Sequence, residues 1–210
     1  MKMKDKYSEE RKEVARFMRR LYRHGLTTTS GGNISTRIGD IVLITPSATD
    51  KGRMKGNNVG IMSMDGENLT PSLRPSIESE LHLSVYRKSG AKAIVHAHPV
   101  FATSFTAMKR EINVNLTAEA CAILGNPLFV PYALMGSAGL AEIVSEYILK
   151  SEILLLENHG ILAAGKDLLQ AFDRIEVLEN AAKMTVLTEI MGKGRPLSRE
   201  RINEIKNLFN

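Results

Sequence analysis

The stretch Ala93-Ile94-Val95-His96-Ala97-His98-Pro99 limits most what this chain can become. An apolar run of this kind, closed by proline, predicts a buried strand. Side chains alternate faces along a strand, so His96 and His98 point the same way. Ahead of it, Pro75-Ser76-Ile77-Glu78-Ser79-Glu80-Leu81-His82 opens a helix expected from about Ile77 to Lys88. Ile77, Leu81 and Val85 should face the core, with Glu78 and His82 along a separate edge. A second apolar run, Ile153-Leu154-Leu155-Leu156, leads into Glu157-Asn158-His159-Gly160 and brings a third histidine to a strand end. An isolated His-x-His pair is ordinarily two polar residues on a solvated face. Three histidines ending two apolar strands instead read as ligands of a zinc-class ion: His96, His98 and His159, with Glu78 as the carboxylate partner. His82, four residues after Glu78, reads as a supporting group rather than a ligand.

The remaining pattern predicts one domain over residues 1–210, without repeats, low-complexity tracts or linkers. Ser8 should cap a helix to about Arg23, stopped by Gly25. Ile34 to Ile38 and Ile41 to Ile44 read as a hairpin turning at Gly39-Asp40, and residues 59 to 68 as another. Phe101 to Met108 reads as a helix, and Ala118 to Leu124 is ambiguous, with Cys121 a small buried hydrophobe. A helix introduced by Gly136 or Ser137 runs through Leu149. Asp167 caps a long one from Leu168 to about Met191, with Phe172, Ile175, Leu178, Ala182 and Val186 inward, and Ser198 starts a short polar one. Helices alternating with hairpins predict an α/β sandwich with much antiparallel sheet.

Composition excludes several function classes. The 210 residues are 43% hydrophobic and 24% charged, and no 18-residue apolar run predicts a membrane span. The basic N-terminus lacks the apolar segment of a secretory signal, and the single Cys121 forbids an intramolecular disulfide, so a reducing, cytoplasmic setting is expected. The net charge of +5 resides in residues 1–23, where nine Lys/Arg face four Asp/Glu. There Val14, Phe17, Met18, Leu21 and Tyr22 fall at helical spacing, which makes the basic residues the outer face of an amphipathic helix, not a nucleic-acid or membrane patch.

Five motifs together, Ser30-Gly31-Gly32-Asn33-Ile34-Ser35, Thr45-Pro46-Ser47, Pro75-Ser76-Ile77-Glu78, His96-Ala97-His98 and Asn158-His159-Gly160, resemble the class II aldolase/adducin family, most closely its L-fuculose-1-phosphate aldolase branch. The resemblance spans roughly residues 10 to 190. It implies a three-layer α/β/α sandwich with a mixed, largely antiparallel sheet, assembled as a homotetramer with sites between subunits. It implies Zn²⁺ and reversible cleavage of a phosphorylated ketose to dihydroxyacetone phosphate and an aldehyde, with Glu78 as metal ligand and catalytic base. It assigns the substrate phosphate to Asn33, Ser47 and Ser76 with backbone help near Ala48. Three positions depart from the family pattern. Ala48 stands for the usual Gly, Ile77 for a Ser, and no Tyr lies near Thr117, leaving Glu119 to act as the second acid. The same family supplies three alternatives: a sugar-phosphate 4-epimerase, a methylthioribulose-1-phosphate dehydratase, and a non-enzymatic adducin-like interaction module.

Overall fold

The computed structural model describes residues 6–192 and 194–209. Seven strands form one sheet: β1 (Asn33–Ile38), β2 (Ile41–Ile44), β3 (Gly60–Ser63), β4 (Ala93–Ala97), β5 (Leu128–Val130), β6 (Ile153–Leu156) and β7 (Gly160–Gly165). Their order is β3-β2-β1-β4-β7-β6-β5. Only the β5–β6 pair is parallel, and the other five are antiparallel.

The α-helices of the described residues are α1 (Ser8–Arg23), α2 (Ser79–Lys88), α3 (Val100–Met108), α4 (Ala118–Leu124), α5 (Ala138–Tyr147), α6 (Leu168–Met191) and α7 (Arg199–Phe209). The pleat of the strands sorts their side chains between two cores. Ile34, Leu43, Val95 and Ala163 meet α1, α3, α4 and α6 on one face. Val42, Ile94, Leu154 and Leu162 meet α2 and α5 on the other. The result is the expected three-layer sandwich with a mixed, largely antiparallel sheet. Asn33, Ser35 and His96 share parity with the second face, so they look toward α2.

Several local expectations are corrected. Ser8 lies inside α1; Tyr7 precedes the helix and makes no side-chain cap. Tyr22 is exposed, unlike Val14, Phe17, Met18 and Leu21, while the basic Arg11 is buried and donates to the carbonyls of Val59 and Asn57. Ile77 is 51% exposed instead of joining Leu81 and Val85 in the core. Its N–H is taken by Ser47 Oγ at 3.0 Å, which keeps Ile77 in the turn before α2. The hairpin after β3 closes through a single bridge, Met62 to Asn68. Ala118 to Leu124 is a helix capped by Thr117, whose hydroxyl accepts from Ala120 N–H. Asp167 caps α6 as its sequence implies, accepting from Gln170 N–H. Among the described residues, no helix is long and apolar enough to cross a membrane.

Candidate metal centre and active site

β4 and the turn between β6 and β7 bring the three histidines together. Their ligand atoms lie within 4.8 Å of one another. His96 is the next-to-last residue of β4, His98 follows the strand end, and His159 sits in the tight β6–β7 turn after Asn158, which adopts φ 54°. Glu78, placed at the start of α2, faces them: Oε2 is 3.4 Å from His96 Nε2 and Oε1 is 3.3 Å from His159 Nε2. His98 Nε2 lies 3.1 Å from His96 Nε2. His96 Nδ1 donates to the Ile161 carbonyl at 2.9 Å, which leaves Nε2 as its free acceptor.

The donor set fits a divalent cation. Glu78 Oε1 is buried and makes no hydrogen bond among the described residues. An ionised carboxylate oxygen left bare 3.3 Å from His159 Nε2 is the complement of a positive charge. Protonation states agree. Burial, then the neighbouring histidines, push His98 down to about 3 and His159 to about 4, so both are neutral at pH 7. For Glu78 burial works upward, but His96, His159, the Asn33 hydrogen bond and His82 outweigh it and hold the carboxyl well below its usual range. Neutral imidazoles and an ionised carboxylate are the forms that bind metal.

A buried polar chain stands behind Glu78. Asn33 Nδ2 donates to Glu78 Oε2 at 2.7 Å. The other end of that amide, Oδ1, meets His82 Nε2. Ser35 Oγ lies 2.6 Å from His82 Nδ1 and 2.7 Å from the Tyr86 hydroxyl. His82 thus supports the carboxylate through Asn33, not by direct pairing. Ser35, part of a family motif, has no role legible from its neighbours, and Tyr86 carries no sequence signal of its own. The spacing Glu78, His82, Tyr86 along one helix edge, opposite Asn33 and Ser35 on one strand face, is the signal that would have found them.

The two serine loops meet beside this cluster. Pro46 and Pro75 form a β-bridge, and Ser47 N–H donates to Arg74 O at 3.3 Å. Ser47 Oγ accepts from Ile77 N–H and Ser76 Oγ from Glu78 N–H at 3.2 Å, so each hydroxyl keeps its own proton as a free donor. Ala48 adopts φ 49°, a left-handed conformation normally left to Gly or Asn. Lys51, also passed over in the sequence, is 1% exposed beneath this loop, and its Nζ donates to Pro46 O at 2.6 Å. Burial pushes its ammonium down to about 8. Glu119 lies elsewhere in the chain. It is exposed on α4, grouped with Asn180 and Met184 of α6, where burial first and then the Glu119 charge push the Asp173 carboxyl up.

Comparison with known proteins agrees with this geometry. The model of the family described as Class II Aldolase and Adducin N-terminal domain matches residues 12–186. An L-fuculose phosphate aldolase from Methanocaldococcus jannaschii is 34% identical over 185 residues, covering 88% of this chain and 99% of the relative. A 3-oxo-tetronate 4-phosphate decarboxylase from Haemophilus influenzae is 33% identical over 198 residues, covering 91% and 92%. A solved structure of an L-fuculose 1-phosphate aldolase superposes with a TM-score of 0.88 at 28% identity, covering 96% of each chain. With its fold, its histidine cluster and its relatives in agreement, the chain belongs to the class II aldolase and adducin N-terminal domain family.

Proposed function

We propose that this protein is a zinc-dependent class II aldolase, a lyase that reversibly cleaves a ketose 1-phosphate of the L-fuculose 1-phosphate type to dihydroxyacetone phosphate and an aldehyde such as lactaldehyde. The observation that carries the reading is Glu78 Oε1, a bare buried carboxylate oxygen facing His159 and backed by the two serine loops. His96, His98 and His159, with Glu78 before substrate arrives, would hold the ion. When bound, the ion supplies Lewis acidity toward the carbonyl oxygen, where negative charge develops as the carbon–carbon bond breaks.

The chain's own residues do the rest. Ser47 and Ser76 offer hydroxyl donors to the substrate phosphate and so fix where its carbon chain lies. Glu78 moves the proton at the carbon next to the carbonyl, delivering it in cleavage and removing it in synthesis. Glu119 serves as the second acid toward the aldehyde oxygen from a neighbouring subunit of a homotetramer, since within one chain it lies on the α6 flank. Purified, zinc-loaded protein should convert L-fuculose 1-phosphate to equimolar dihydroxyacetone phosphate and aldehyde in a mass-balance assay. Epimer or dehydrated product, or no turnover of any ketose 1-phosphate, would refute the assignment.

A second reading is decarboxylation of a 3-oxo acid phosphate. It draws on the 33%-identical decarboxylase and on the lack of any Tyr between Tyr86 and Tyr132. Loss of CO₂ also leaves an enediol to be protonated, yet needs no acid toward an aldehyde. Release of CO₂ in the same assay identifies it.

A further inference from the structure

The chain Tyr86–Ser35–His82–Asn33–Glu78 has only one self-consistent direction. Its members are nearly or wholly buried: Tyr86, Ser35 and His82 at 0%, Asn33 at 4% and Glu78 at 5% exposure. Water is therefore no substitute for any partner. An ionised Glu78 can only accept, so the NH₂ end of Asn33 faces it and Oδ1 faces His82. His82 Nε2 must then carry the imidazole proton. A neutral imidazole has one such proton, so Nδ1 accepts from the Ser35 hydroxyl, and Ser35 in turn accepts from Tyr86. Four hydrogen bonds give the Tyr86 hydroxyl, the Ser35 hydroxyl and the His82 N–H one acceptor each and place one of the two Asn33 N–H groups on Glu78. An amide turned the other way would set its carbonyl against the carboxylate and its NH₂ against the imidazole N–H. The first contact is repulsive whichever tautomer His82 takes, and the second is repulsive while Nε2 keeps its proton.

We propose that His82, held in its Nε2–H form by Ser35 and Tyr86, is a positioning residue that fixes the Asn33 amide so that Glu78 Oε2 is a permanent acceptor and Oε1 is the oxygen left without a hydrogen bond. The inference rests on the reading that Glu78 moves a proton in the reaction, but the tautomer itself does not. The two oxygens then divide the work. Oε2, 3.4 Å from His96 Nε2, is anchored by the Asn33 N–H, and Oε1, which has no hydrogen-bond partner among the described residues, is the oxygen left free for ion and substrate. Three residues on one helix edge and two on one strand face interdigitate to achieve this, which explains why polar groups occupy a layer otherwise filled by Val42, Ile94 and Leu162.

The first arm of the test needs no substrate. In zinc-loaded protein with ¹⁵N-labelled histidine, the His82 signal, assigned by its loss in His82→Gln, should show a protonated Nε2 and an unprotonated Nδ1. A proton on Nδ1 overturns the proposal, and a wrong guess of the reaction leaves this result standing. The second arm uses turnover of whichever phosphorylated substrate the wild type consumes. His82→Leu should lower kcat about 10–100-fold, with KM within about 2-fold and zinc content unchanged. His82→Gln, which keeps an N–H donor for Asn33, should recover most of that loss. Equal losses in both variants, or wild-type kcat in His82→Leu, would refute the positioning role.

Discussion

The His98 ring lies directly on the backbone of Gly160: a Cβ added there would stand 2.4 Å from His98 Cδ2 and 2.7 Å from Ala97 O. No side chain fits without moving the imidazole, because the other obstacle is backbone. Gly160→Ala should therefore displace one ligand while sparing the two cores. We expect zinc affinity to fall about 10–100-fold in competition with a chromophoric chelator, at unchanged far-UV circular dichroism. Affinity within about 2-fold of wild type would show that His98 is not held there.

Ala48 offers the opposite experiment. Its φ of 49° strains any residue with a Cβ, and Ala lacks the polar group that lets Asn tolerate this region. Ala48→Gly removes the strain but gives the unfolded chain more freedom, so the two effects partly offset. The net expectation is a gain of about 0.5–1 kcal/mol in urea unfolding. A loss of stability would mean that the methyl group packs usefully in the loop.

Much of this was legible because the decisive signals were local. Strand alternation placed His96 and His98 on one side, and the apolar run before His159 placed the third histidine at a second strand end. Glu78 could be assigned from its place at a helix start. What escaped depended on which side chains meet across the sheet. Ser35 and Tyr86 are 51 positions apart, and only the antiparallel pairing of β1 with β4, which turns Asn33 and Ser35 toward α2, joins them. Lys51 went unread because nothing nearby in sequence shows that Thr29 O anchors its backbone under the loop. Ile77 misled for a related reason. Its helical spacing was right, but a hydrogen bond from a loop 30 residues away decided where the helix begins.

Lys51 gives the pH prediction. Its ammonium titrates near 10.5 when unfolded and at about 8 in the fold, because burial disfavours the charge. Between those values the unfolded state binds more protons, so this group makes stability rise with pH across that window. Below about pH 8 its destabilisation is fully present. Lys51→Met should therefore melt higher than wild type at pH 7, and the difference should narrow between pH 8 and 10. A constant difference would indicate that packing, not the charge, distinguishes the two.

The serine loops should act in binding. Ser47→Ala and Ser76→Ala each remove a hydroxyl donor and also free a backbone N–H, of Ile77 or Glu78. A hydrogen bond to a charged group contributes about 1.5–3 kcal/mol, so KM for a phosphorylated substrate should rise about 10–100-fold. If the contact is equal in ground and transition states, kcat changes little. Unchanged KM and unchanged inhibition by inorganic phosphate in both variants would remove phosphate from these loops.

The final prediction separates the two carboxylates. Glu78→Gln should keep the fold and most of the metal, because three histidines remain and the Gln carbonyl can still accept from Asn33. It should lose proton exchange at the carbon next to the carbonyl by about 10²–10⁴-fold, the usual consequence of removing a general base. Glu119→Gln should behave differently. If Glu119 reaches a neighbouring subunit's site as the acid toward the aldehyde, carbon–carbon cleavage falls while exchange of dihydroxyacetone phosphate protons with solvent persists. That exchange needs the ion and Glu78 but never forms an aldehyde. Deuterium wash-in and aldol cleavage, measured side by side on both variants, resolve the assignment. Equal loss of both activities in Glu119→Gln would mark a structural role. Intact cleavage would return Glu119 to its place beside Asp173 on the α6 flank, and exchange surviving in Glu78→Gln would overturn the mechanism.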